Sequence, residues 1–164
     1  MRKSLQTNER KARYSSHMDI MLHSIVVERS SLDFNRHVNN LEYIRWMQEA
    51  AIKHSSHFGW TPRRYMESGF SWVVGSHYVK YLRPAFEEER LAVVTWVSEL
   101  GSRVLTRQYW CVNKDSKKIL VKAETLWVFV DRTGKPTRII DELKRDYRVI
   151  KDEVRIKDFI EQIR

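Results

Sequence analysis

Hydrophobic and polar positions along the chain change period twice, and those changes divide it into elements. Ile20-Met21-Leu22-His23-Ser24-Ile25-Val26-Val27 is short and β-branched toward its end, which predicts a first strand between Asp19 and Val27. The polar stretch from Glu28 to Asn40 is too rich in Ser, Asp and Asn for a core element. From Asn40 to about Phe58 the period becomes helical. Tyr43, Ile44, Met47, Ala50, Ala51, His54 and Phe58 recur at the spacing that lines one helix face. Asn39 stands where an N-cap belongs, Glu42 three residues on suggests a capping box, and Gly59 suits the left-handed C′ position.

Beyond Thr61 and a turn at Pro62 the pattern reads as strands: 70–81, 91–99, 104–112 and 119–130, each rich in Val, Trp, Tyr, Leu and Thr. Turn signals separate them at Arg83-Pro84-Ala85, Leu100-Gly101-Ser102 and Asn113-Lys114-Asp115-Ser116, and short links between long strands imply antiparallel pairing. Asp141 to Arg164 carries enough spaced apolar residues for one amphipathic helix or two shorter ones. Strand, long helix and four antiparallel strands predict an α+β protein with two layers, the helix across one face of a curved sheet.

The chain has 164 residues, a size that fits one domain with a substantial core. Three segments are expected: a basic tail over 1–17, the main domain over 18–140 and a helical extension over 141–164. No apolar run reaches the roughly 20 residues that span a bilayer, and the first residues lack the apolar core of a secretory signal. The single cysteine, Cys111, rules out an intramolecular disulfide and a cysteine-based metal site, and a soluble protein of a reducing cytoplasm is the expectation. The formal net charge is +9, concentrated partly in Arg2, Lys3, Arg10, Lys11 and Arg13 and otherwise scattered. Scattered charge describes a solvated surface, and leaves an anionic ligand as the partner that charge favours. Nucleic acid and membrane surfaces are not expected partners.

Candidate chemistry gathers at Asp33-Phe34-Asn35-Arg36-His37-Val38-Asn39-Asn40, ahead of the long helix. Were this segment extended, Asp33, Asn35 and His37 would point the same way. An aspartate can attack an acyl carbon or deprotonate water, a histidine can share the proton traffic, and an asparagine can orient a water or a carbonyl. The helix N-terminus adds unpaired N–H groups and the positive end of a dipole. Turn and cap roles account for Asp33, Asn35 and Asn39 taken singly. Glu49, on the helix, is a second candidate carboxylate. Histidines elsewhere show no metal-site spacing, and no serine-hydrolase elbow or glycine-rich phosphate loop is present.

Residues Asp33 to Trp46 resemble the D-x-N-x-H-V-N-N-x-x-Y-I-x-W signature of plant and bacterial acyl-ACP thioesterases. The same stretch resembles the D-x-x-G-x-V-x-x-x-x-Y segment of the 4-hydroxybenzoyl-CoA thioesterase family, and the order of elements is that of the hotdog fold. The resemblance covers about Asp19 to Val130. It implies a single hotdog domain, a long helix wrapped by a five- to six-stranded antiparallel sheet, that hydrolyses an acyl-CoA. An acyl-ACP substrate and a non-catalytic acyl-CoA-binding module are the alternatives. Under it Asp33 is the nucleophile or general base, Asn35 and His37 assist, and the backbone N–H of Asn40 polarises the carbonyl. Asn39 and Tyr43 contribute to substrate binding. No cofactor and no metal is implied. A homodimer or homotetramer is expected, because one such sheet leaves an open edge. The sequence departs from the aryl-CoA pattern with Arg36 where that pattern has glycine, and from the plant enzymes with one repeat and with Tyr81-Leu82 near the place of their later carboxylate–cysteine pair.

Overall fold

The computed structural model describes residues 19–164; the basic tail expected over 1–17 lies outside the described residues. Strand β1 (Met21–Val26) leads through a 3-10 turn (Arg29–Ser31) to helix α1 (Asn40–His57) and the short helix α2 (Pro62–Ser68). Strands β2 (Ser71–Tyr81), β3 (Arg90–Leu100), β4 (Val104–Asn113) and β5 (Ile119–Val130) follow, then helices α3 (Asp141–Asp146) and α4 (Glu153–Glu161). The five strands form one antiparallel sheet in the order β1-β3-β4-β5-β2. This is the α+β hotdog arrangement, with five strands.

Helix α1 begins and ends where its punctuation places it. Asn39 Oδ1 accepts from the Leu41 N–H at 3.0 Å. At the other end the Gly59 N–H bonds Ser56 O, the Trp60 N–H bonds Ser55 O, and Gly59 takes φ +81°, which together form a Schellman motif. The capping box does not form. Glu42 pairs instead with Arg45 one turn on, and the Asn39 N–H is committed to Ser31 O at 2.8 Å. Where a turn into the first of four strands was expected after Thr61, the chain inserts α2: Thr61 Oγ1 accepts from the Arg64 N–H, Pro62 occupies the first turn and Gly69 closes it at φ +77°.

The sheet is covered on both faces at its centre. Leu91, Val93, Tyr109, Cys111, Val121 and Ala123 meet Tyr43, Trp46, Met47 and Ala50 of α1. The alternate residues Ala92, Val94, Trp96, Trp110 and Val112 meet Ile150 and then Ile156, Ile160 and Ile163 from the C-terminal segment. Successive side chains on a strand leave by opposite faces, so strands apolar at both sets of positions must be covered twice. The expected two layers are therefore three at the middle of the sheet. A bulge in β3 between Val97 and Glu99 interrupts the ladder, and the Val97 carbonyl accepts from the Ile150 N–H at 2.9 Å, fixing the C-terminal segment to the sheet. A third cluster, Trp60, Val97, Leu105, Phe129, Ile139, Leu143 and Tyr147, fills the end near α2 and α3. Strand β2, by contrast, lies at the sheet edge with most of its residues exposed.

Candidate functional site

The segment ahead of α1 is folded back on itself. Leu32 and Val38 bridge antiparallel, the Asp33 N–H donates to His37 O at 2.8 Å, and the Arg36 N–H donates to Asp33 O at 3.0 Å. Asp33 to His37 is thus a tight turn, where an extended run was the sequence expectation. The Asp33 carboxylate organises it: Oδ1 accepts from the N–H groups of Asn35 at 2.8 Å and His37 at 3.3 Å. Its other oxygen has no hydrogen-bond partner among the described residues. Arg36 takes φ +61°, a left-handed conformation at the position where the aryl-CoA pattern carries glycine. A non-glycine residue holds that turn because the Asp33 bonds and the Leu32–Val38 bridge fix both sides of it.

Two further bonds dock the turn. The Val38 N–H reaches Ala85 O at 3.0 Å, and the Asn39 N–H reaches Ser31 O. A cavity of about 400 Å³ results, lined by Asp33, Asn35, His37, Val38, Asn40 and Tyr43 from one side. Tyr81, Leu82, Arg83 and Pro84, where β2 ends, line the other side. Five of the six candidate residues therefore share one cavity. Asn39 does not line it, and its side chain is spent on capping α1.

Within the cavity the parts are unequal. The Asn40 N–H, at the first position of α1, meets no acceptor among the described residues, as the opening turn of a helix requires. Asn40 O accepts from the Tyr81 hydroxyl at 3.1 Å, and the Tyr81 ring stands edge-on to Tyr43 with centres 5.7 Å apart. Burial pushes the Tyr43 and Tyr81 hydroxyls up from their ordinary range, so both remain protonated donors. The His37 ring makes no side-chain bond to Asp33. It stands edge-on to Phe86 at 5.2 Å. Val38, Tyr81, Leu82, Arg83 and Pro84 also line the cavity without being among the expected site residues; the sequence pattern reads Tyr81 as the end of a strand and Arg83-Pro84-Ala85 as a turn. The Arg83 guanidinium, bonded to Ile119 O at 2.8 Å, sets a cation at the rim.

Glu49, the second candidate carboxylate, lines no part of this cavity. It bonds Arg45 at 2.7 Å and His23 Nε2 of β1 at 2.9 Å, while Lys53 approaches His23 Nδ1. Burial and then Lys53 push His23 below the ordinary imidazole value, against the pull of Glu49. The cluster ties α1 to the sheet edge. Cys111 is core, its thiol pushed up to about 12 by burial.

The sequence profile of the thioesterase-like superfamily matches residues 27–147, from just after β1 to the C-cap of α3. The chain belongs to the thioesterase-like superfamily. Among curated proteins, this superfamily member is 29% identical over 108 residues to the chloroplastic acyl-[acyl-carrier-protein] hydrolase FATB2 of Cuphea viscosissima, covering 61% of this chain and 26% of that one. It is 27% identical over 108 residues to a chloroplastic palmitoyl-acyl carrier protein thioesterase of Cuphea hookeriana, with the same coverages. The chain spans about a quarter of the length of these relatives. Solved structures share its fold, two thioesterases among them. A 1,4-dihydroxy-2-naphthoyl-CoA thioesterase from Synechocystis superposes with TM-score 0.72 at 16% identity, over 77% of this chain and 94% of that one. An acyl-ACP thioesterase from Bacteroides thetaiotaomicron gives 0.74 at 21% identity, over 84% and 56%. Among the described residues no helix is long and apolar enough to cross a membrane.

Proposed function

We propose that the protein hydrolyses acyl-CoA thioesters, with Asp33 as the reacting carboxylate. The observation that carries this reading is that Asp33 and the acceptor-less N–H of Asn40 line one cavity in a superfamily of thioesterases. Water adds to the thioester carbonyl, the C–S bond breaks, and a free acid and a thiol leave. Asp33 either takes the proton from that water or attacks the carbonyl itself, in which case a mixed anhydride forms and water then opens it. The N–H of Asn40, at the positive end of the α1 dipole, receives the developing oxyanion. Asn35 and His37 stand beside this centre to orient water and carry protons, Tyr43 walls the acyl carbonyl, and Asn39 acts through the cap that positions the Asn40 N–H. A thiol-reactive dye following a panel of acyl-CoA chain lengths, with acyl-ACP as a second carrier, should show turnover on at least one member. Turnover on none would remove the assignment. Acyl-ACP is the second reading, supported by the D-x-N-x-H-V-N-N stretch and by the acyl-[acyl-carrier-protein] hydrolase activity of the plant relatives.

The exposed β2 edge leads to a proposal about assembly. Eleven residues with Val73, Val74 and Tyr78 exposed present unpaired backbone groups beside the cavity wall. We infer a homodimer, or a dimer of dimers, in which a partner covers this edge and closes the cavity for the pantetheine arm of the substrate. Sedimentation equilibrium should give at least twice the 19.8 kDa chain mass. A monomer at micromolar concentration would refute it. A reducing cytoplasm suits a chain whose one cysteine is buried.

A further inference from the structure

A larger cavity, of about 760 Å³, borders the other end of α1. Phe70, Trp72, Trp127, Tyr65 and Tyr147 give it apolar and aromatic walls, and no aspartate or glutamate lines it. Arg107 does. This residue stands on the central strand β4 and is 3% exposed. Its Nη1 donates to His54 Nδ1 at 2.8 Å and to Thr95 Oγ1 at 3.3 Å, and the guanidinium lies 5.6 Å from the Tyr147 ring centre. Those bonds use one nitrogen of three. Among the described residues no carboxylate lies within ion-pair distance, and Nε and Nη2 donate to nothing.

An arginine cannot shed its charge at any working pH, and a buried charge without a counter-ion is costly. The Arg107 guanidinium can only donate, and the His54 imidazole ring that receives its Nη1–H carries no negative charge to offset it. A strut between β4 and α1 would need only the Nη1 bonds. A cation whose other donors border an aromatic chamber lacks an anion.

We propose that this chamber takes the far end of an acyl group that carries a second carboxylate, paired with Arg107. The substrates are then thioesters of long dicarboxylic acids, an assignment that rests on the thioesterase reading above. His54 lies fourteen residues beyond Asn40, about 21 Å along α1, so the acyl group must be long. The chamber volume lies within the range of small-molecule sites, roughly 300–1,000 Å³.

The test compares kcat/KM of the full chain for hexadecanedioyl-CoA and palmitoyl-CoA, both below micellar concentrations. The diacid thioester should be favoured about tenfold or more, the discrimination expected of a buried charge-assisted bond. Arg107→Met should abolish that preference and Arg107→Lys should retain part of it. Intrinsic fluorescence of Trp60, Trp72 and Trp127, which line the chamber, gives a readout without turnover: free hexadecanedioate should bind more tightly than palmitate. Equal kcat/KM for the two thioesters, an unchanged preference in Arg107→Met, or palmitate binding as tightly as the diacid would overturn the proposal. Arg107-dependent diacid binding without turnover of either thioester would instead overturn the hydrolase reading and leave the chamber assignment standing. Should Arg107→Met fail to fold by circular dichroism, the wild-type preference and the lysine variant decide.

Discussion

Asp33→Asn should lower kcat on the best acyl thioester by at least about a hundredfold while moving Tm by no more than about 2 °C. The two effects separate because Asp33 has two jobs. Its Oδ1 accepts from the N–H groups of Asn35 and His37, and an amide oxygen can do that equally well. A reacting carboxylate needs the negative charge, which the amide lacks. Asp33→Ala removes both, so it should lose the same activity and also about 0.5–2 kcal/mol of stability, as the loss of a comparable cap does. Steady-state kinetics and thermal melts on the pair read the two contributions apart. Full activity in Asp33→Asn would show that Asp33 is a turn residue only.

Removing residues 151–164 should leave a chain that aggregates at room temperature. Ile156, Ile160 and Ile163 are 0%, 3% and 7% exposed, packed over Trp96 and Trp110. Full burial of such a side chain contributes about 1.5–3 kcal/mol, so the three together approach the roughly 5–15 kcal/mol that holds a domain folded. Truncation also uncovers two tryptophans and two valines on the sheet, an apolar patch of the kind that drives association. Ile156→Ala offers the graded version, with an expected loss of about 2–5 kcal/mol in urea unfolding. Unchanged unfolding in that variant would mean that α4 contributes no stability.

How far the sequence foretold these features depended on whether the signal was local. Helix α1 was legible because eighteen residues repeat one period and Gly59 ends them. Ile119–Val130 was legible to the residue because turn residues bound it on both sides. Helix α2 escaped because seven residues are too few to establish a period, although Thr61, Pro62 and Gly69 were its proper punctuation. The capping box failed on competition: Arg45 took the Glu42 carboxylate, and a tertiary bond to Ser31 took the Asn39 N–H. The candidate cavity was half legible. Asp33, Asn35, His37, Asn40 and Tyr43 are neighbours in sequence, whereas Tyr81 and Arg83 arrive through the pairing of β2 with β5, which no local pattern encodes. Arg107 was hidden as the lone charge in an otherwise uncharged strand, where alternation gives no hint of what the cation faces.

The unequal covering of the sheet sets a hierarchy of timescales. Amides of β3 and β4, enclosed between α1 and the C-terminal segment, exchange with solvent only when the whole domain opens. In a protomer taken alone, amides of β2, most of whose residues are exposed at the rim, open through small local fluctuations. The larger chamber has its floor on β4 and its lip on α2 and β2. A bulky ligand can therefore enter by breathing of that lip, on a clock decoupled from global unfolding, while the floor that holds Arg107 keeps its shape.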